Sequence, residues 1–366
     1  RLVLNDAAGS TDGSDDTITL DLANLGFTDY VTTQGTEPGG TPGTDDDDLV
    51  LDNMASNGTI VLAATNAGAN TVQTVNIKDA STGESDVLNV ETDAADGTDL
   101  GTLTSDDVES VNITANDTDT TDAVSTNTLE LDADSATALD LGGDGNLILT
   151  LSAATTEVAA IDASDMTGAL DVTTLAGDTG ATTVTGGSAA DTLTAQGAND
   201  VLIGGAGNDS LKVDGAVASA ATLTGGEGID SFDVSGFLAA NGGAAVTITD
   251  LEAGETIKFN AAQDGANFAT GKVELIEEAT FSEFVQEAAA QADAASETYN
   301  DAVIGADDYE GGVAWFEFNN NTFIVQDVDG DGAFTDGNDN IVKLTGSIDL
   351  SNSSFSQTEA TLEYIA

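Results

Sequence analysis

The chain has 366 residues, enough for one large domain or two to three ordinary ones. It carries 47 Asp and 19 Glu against six Lys and Arg, a formal charge of −60, with no His and no Cys. This excludes nucleic acid and anionic membrane surfaces as partners, since both need Lys and Arg; it also excludes Ser-His-Asp and Cys-His nucleophiles and His- or thiolate-ligated metals.

At 40% hydrophobic residues the chain is no disordered acidic tail. A folded chain of this charge sits in high salt or neutralises its carboxylates with cations, and hard oxygen ligands favour Ca²⁺. Absence of Cys is compatible with a secreted bacterial protein that folds without disulfides. No apolar run is long enough to span a bilayer, and no basic segment followed by an apolar one opens the sequence. The start at Arg1 is read as a mature product or fragment, with an N-terminal part expected outside it.

There are two prolines, Pro38 and Pro42, and 41 glycines, with aromatics at 5%; this suits stacked short strands and tight turns. Residues 34–48 read as a linker ending in the run Asp45–Asp48, either a solvated repulsive stretch or a cation site. From 49 to 165 come short period-two pieces: Val72–Ile77, Val108–Ile113, Leu129–Leu131, Leu139–Leu141, Leu147–Leu151 and, just beyond, Leu170–Val172. VQTVNI and VESVNI are near copies. A β-solenoid and small antiparallel sandwiches both fit. The solenoid is favoured because the spacing tightens downstream into an explicit repeat.

That repeat is the nonapeptide G-G-x-G-x-D-x-U-x, with U a large apolar residue, at 186–212 (GGSAADTLT, AQGANDVLI, GGAGNDSLK) and again at 225–233 (GGEGIDSFD). Glycines permit the turn, their carbonyls and the Asp carboxylate face a Ca²⁺, and x-U-x is a strand with U inward. The inward residues are expected to be Leu175, Val184, Leu193, Leu202, Leu211, Leu223 and Phe232. Two nonapeptides make one coil, so Asp191, Asp209 and Asp230 are expected on one side with two Ca²⁺ sites. Asp200 stands on the other side, beside Thr182 and a position near Ala218, with at most a weak site.

Beyond 245, residues 246–259 read as two strands about a turn at Glu252–Glu255. Thr280 and Glu283 form a capping box that opens a helix over 280–296. Its face of Phe281, Phe284, Val285, Ala288 and Ala292 is expected against a strand bearing Trp315, Phe316 and Phe318. Residues 327–339, DVDGDGAFTDGND, place Asp327, Asp329 and Asp331 at positions one, three and five of an EF-hand-like loop. Gly332 takes the turn, Ala333 offers a carbonyl and Asn338 holds position twelve, with Asp339 or Asp336 as substitutes. The flanks read as strands, so this is a calcium loop on a hairpin, with an acidic solvated turn as the alternative.

Four parts follow: 1–48, a strand segment and acidic linker; 49–165, solenoid-like; 166–245, a calcium β-roll; and 246–366, a β domain with the helix and the calcium loop. The fold class is all-β.

The nonapeptides, VTITDLEAGETIKF, TFSEFVQEAAA, AWFEFNNNTFIVQDVDGDG and IVKLTGSIDLSNSSF together resemble the C-terminal part of RTX-type S-layer proteins of the Caulobacter type, which leave the cell by type I secretion. The upstream VESVNITANDTDTT is similar to that family's solenoid stretch. The nonapeptides alone are shared with RTX toxins, proteases and adhesins. The resemblance assigns calcium-roll positions to Gly186, Gly187, Asp191, Asp200, Gly204, Gly205, Gly207, Asp209, Gly225, Gly226, Gly228 and Asp230; the second unit departs, with Ala195 and Gln196 in place of the glycines. It implies an export signal within 300–366, an extracellular location at the cell surface, and an anchoring domain for surface polysaccharide outside this sequence. The function it implies is a secreted, non-enzymatic structural protein that assembles with copies of itself, with several Ca²⁺ as the folding switch. An RTX adhesin or biofilm-matrix protein is the alternative, and an enzyme with an RTX tail a third class.

Overall fold

The computed structural model describes residues 2–6, 17–25, 30–35, 48–63, 72–82, 85–119, 124–176, 180–214, 221–237, 245–260, 267–303, 312–335 and 337–366. Two compact units divide the chain, 1–192 and 193–366. The molecule is nearly all β, and the parallel stacking of its strands makes it a β-solenoid.

In the first unit each strand pairs in parallel with the next but one, so the chain alternates between two sheets. One sheet takes Gly58–Leu62, Val87–Thr92, Ser110–Ala115, Ala138–Gly143 and Ala160–Met166; the other takes Asp48–Met54, Val72–Ile77, Asp99–Thr104, Thr126–Asp132 and Asn146–Leu151. The period-two pattern explains this. Val75 and Ile77, or Val111 and Ile113, are buried while the residues between them are not. Outward Asn and Asp then stack coil on coil: Asn112 Nδ2 donates to Asn89 Oδ1 at 2.8 Å and Asn76 Nδ2 to Asp52 Oδ1 at 2.7 Å. Coil-to-coil hydrogen bonds span from 20 to 32 residues, because the turns differ in length. Hence no fixed repeat is visible upstream, and Ala160–Met166, with only two aliphatic core residues and an Ala, escapes the sequence pattern.

The inward register of the repeat holds from Val184 on: Val184, Leu193, Leu202, Leu211, Leu223 and Phe232 are all buried. Leu175 is an exception. It lies past the end of Leu170–Thr173 and is partly exposed, while Val172 fills the core position.

In the second unit, Val201–Ala206, Thr222–Glu227 and Val246–Ile248 stack in parallel in one sheet, and Ser210–Asp214, Ser231–Gly236 and Thr256–Lys258 in the other. A solenoid must cover its last coil, since an open edge invites another chain. Here Asn340–Leu344 joins Val246–Ile248, followed by the antiparallel strands Asn321–Asp327 and Gly312–Phe318, while Thr361–Glu363 and Ser354–Ser356 close the second sheet.

The helix runs over Phe281–Val303, ending seven residues beyond the end the sequence suggests. Its capping box is formed: Thr280 N donates to Glu283 Oε2 at 2.7 Å and Glu283 N to Thr280 Oγ1 at 3.3 Å. Val285, Ala288, Ala289 and Ala292 pack on Ala314, Phe316, Phe323 and Val325, with Phe281 and Phe284 at the border. The alanines let the helix lie close to the strand; a Cβ on Gly312 would come within 1.9 Å of the Ala292 carbonyl oxygen. Trp315 is not in this contact. Strand alternation turns it to the opposite face, where its indole N–H donates to Thr270 O at 3.2 Å.

Candidate metal centres

The roll sites begin with glycine. Gly205, Gly207, Gly226 and Gly228 all have φ between 102° and 140°, a region closed to residues with a Cβ. A Cβ on Gly228 would lie 1.5 Å from the Gly207 carbonyl oxygen, so successive turns stack backbone on backbone. On this frame the four repeat aspartates are turned inward: Asp191, Asp200, Asp209 and Asp230 are each no more than 2% exposed.

In the first unit, Asp191 Oδ1 accepts from Leu170 N and Oδ2 from Gly187 N, both at 2.7 Å. Burial pushes its carboxyl above the usual range, against these two bonds. Gly186 and Gly187 are buried beside it.

In the second unit, Asp209 and Asp230 stand one coil apart, 21 residues rather than 18, with Asp209 N donating to Asp230 Oδ1 at 2.8 Å. The insertion lies in 215–220, outside the described residues. Asp230 Oδ2 is buried with no hydrogen-bond partner among the described residues. Gly204 and Gly225 complete the cradle: a Cβ there would come within 2.3 Å of Asp209 Oδ2 and 2.2 Å of Asp230 Oδ2. On the other sheet Asp200 Oδ2 accepts from Gly197 N at 2.8 Å. One coil on, the register Val201 to Thr222 sets Ala221, not an acid, opposite Asp200; Ala218 lies outside the described residues.

Two acids escape the nonapeptide pattern. Asp250 accepts Gly225 N and Gly226 N, one on each carboxylate oxygen, at 3.0 Å. Glu255, 1% exposed, accepts Glu252 N at 2.7 Å. Burial, with Asp230 and Asp250 close by, raises the Glu255 carboxyl well above the ordinary range, and the Asp230 carboxyl lies within hydrogen-bonding reach of it. The triplet Glu255-Thr256-Ile257 repeats the frame Asp-x-U, a signal hidden by the change from Asp to Glu and by the loss of the flanking glycine pair.

The loop after Asn321–Asp327 forms the third constellation, on the hairpin the sequence suggests. Asp327, Asp329 and Asp339 each bring one carboxylate oxygen within 4.8 Å of the others. Asp327 accepts Gly330 N and Gly332 N at 2.9 Å, and Asp339 accepts Val328 N at 2.8 Å and Thr335 N at 2.6 Å. Asp329 Oδ1 is buried and unpartnered among the described residues. Burial, with the neighbouring carboxylates, pushes Asp327 up to about 7 and Asp339 to about 6. Asp331 and Asn338 do not join. Asp331 is exposed, with Oδ1 accepting from Ala333 N at 2.8 Å, and Asn338 turns its amide N–H to Asp329 Oδ2 at 2.9 Å. The Ala333 carbonyl lies near Thr335 Oγ1, at 3.4 Å. Asp339, one position past the twelfth, takes the closing place instead, because it opens the return strand and is fully buried there. Asp336 lies outside the described residues.

The second and third constellations suit a hard divalent cation: a carboxylate cluster at Asp327, Asp329 and Asp339, orphaned buried oxygens at Asp230 and Asp329, and cradles at Gly204 and Gly225 that a Cβ would fill. A model of the RTX calcium-binding nonapeptide repeat (4 copies) matches residues 176–211. No curated protein matches the chain. The chain thus carries RTX calcium-binding repeats within a β-solenoid. RTX nonapeptide repeats bind multiple Ca²⁺ ions, which are its cofactor, and such repeats are typical of secreted proteins. Rolls of this kind are typical of structural or non-catalytic proteins.

Proposed function

We propose that this is a secreted structural protein that assembles with copies of itself into a calcium-dependent cell-surface layer. The observation that carries this is the stacking of Asp209 on Asp230 inside a solenoid, both buried, in a chain whose acids outnumber its cations by 66 to six. At low calcium the carboxylates repel, and the chain stays unfolded and competent for export. Outside the cell each ion cancels two charges and ties adjacent coils, so its binding free energy becomes folding free energy. Further calcium ions on exposed carboxylates bridge neighbouring copies whose acidic faces otherwise repel. The roll at 166–245 and the β domain at 246–366 are the calcium-dependent parts, and surface polysaccharide is the anchor.

Calcium titration followed by circular dichroism, with electron microscopy in calcium and in chelator, tests both halves. An ordered array that dissolves in chelator is expected. A chain fully folded in chelator overturns the switch, and monomers at every calcium concentration overturn the assembly.

A further inference from the structure

We propose that Asp230 and Glu255 form a further divalent-cation site, outside the nonapeptides, that closes the last parallel coil and fastens the chain's C-terminal strand. The inference rests on the calcium reading above. Ser231 pairs with Thr256 and Phe232 with Ile257, which places Glu255 one coil beyond Asp230 in the column that holds Asp209. Both carboxyls are 1% exposed and lie within reach of each other. Asp230 Oδ1 is taken by Asp209 N, whereas Oδ2 receives no donor among the described residues. Two buried carboxylates in contact need a cation or a proton between them. Three features favour the cation. Gly225 keeps the space beside Asp230 Oδ2 open, the N–H groups of Gly225 and Gly226 donate to Asp250 and so are not available to the pair, and Asp250 adds a third nearby negative charge. All-oxygen donors of this charge select a hard ion of the calcium class.

The site also has a place in the fold. Glu255 O accepts from Tyr364 N and Gly254 N donates to Tyr364 O, both at 2.9 Å. Thr361–Glu363 pairs antiparallel with Thr256–Lys258 through these bonds. An ion held by Glu255 therefore fixes the turn on which the last strand docks.

The test counts tight Ca²⁺ per full-length chain by equilibrium dialysis for the unaltered protein and for Glu255→Gln, with hydrogen exchange at 361–364. Loss of one ion, with faster exchange at the C-terminal strand, is expected. An unchanged count means that a proton joins the pair, since Gln can donate to Asp230, and overturns the proposal. If the variant fails to fold in saturating calcium, crystals of the unaltered protein grown with calcium decide by anomalous scattering. A peak about 2.3–2.6 Å from both carboxyls supports the site, and its absence overturns it. A chain that binds no calcium at all defeats the proposed function as well; one that binds ions elsewhere and leaves this position empty defeats this proposal alone.

Discussion

Gly228 and Asp191 show how much of the roll rests on single residues. Gly228 has φ of 140° and its missing Cβ would overlap the Gly207 carbonyl. Gly228→Ala therefore meets both backbone strain and a backbone clash, and a loss of about 1–3 kcal/mol from the strain alone is expected in urea unfolding at saturating calcium. Asp191 works differently, through two short bonds from buried N–H groups. Asp191→Ala leaves Leu170 N and Gly187 N without acceptors, and a loss of about 2–3 kcal/mol is expected by the same measurement. Some of the upstream acids have this second role. Glu109, Asp96 and Asp144 accept N–H groups of Asp86, Thr126 and Asp117 from neighbouring coils at 2.7, 2.8 and 2.9 Å. Asp48, last of the four-acid run, accepts Val72 N at 3.1 Å, while Asp45–Asp47 lie outside the described residues.

Elements differ in how they are held. The strands rely on coil stacking, but the helix depends on a cap and an aromatic cluster. Phe316 stacks on Phe284 and Phe323 at centroid distances of 5.2 and 5.4 Å, fully buried. Phe316→Ala is expected to cost about 3–5 kcal/mol, read as a lower unfolding midpoint. Thr280→Ala, at an exposed cap, is expected to cost about 1 kcal/mol and to fray the first turn in hydrogen exchange. The helix was legible because T-x-x-E and the i, i+3, i+4 apolar spacing are local signals. Its end was less so, since the apolar face gives out near Ala292 while the helix continues to Val303, two residues before Gly305, and the orientation of Trp315 depends on strand parity, set by pairing with Asn321–Asp327.

For the whole molecule, charge and calcium determine how stability varies with pH. Asp327 and Asp339 hold protons in the calcium-free fold up to about pH 7 and 6, above the ordinary Asp value of 3.8. Between the unfolded and folded values the folded chain binds more protons, so stability falls as pH rises. In chelator the melting temperature is expected to drop from pH 5 until no folded state remains near pH 7.5, in the same direction as the growing self-repulsion of 66 acids. With calcium bound the ion takes the place of those protons, and the drop is expected to vanish. Differential scanning calorimetry in the two conditions checks this; parallel curves would show that these carboxyls are not where calcium acts.

The sequence by itself determined the all-β class, the coil register from Val184 and the calcium chemistry, because alternation, glycine spacing and ligand hardness are properties of neighbours in the chain. The −60 charge implied cations but assigned most of its acids to nothing. Tertiary structure decided which carboxylates meet. Coil stacking sets Glu255 in register beyond Asp230, and the hairpin loop between Asn321–Asp327 and Asn340–Leu344 gathers Asp327, Asp329 and Asp339 and turns Asp331 and Asn338 aside. That choice depends on pairing between residues distant along the chain, which no local spacing encodes.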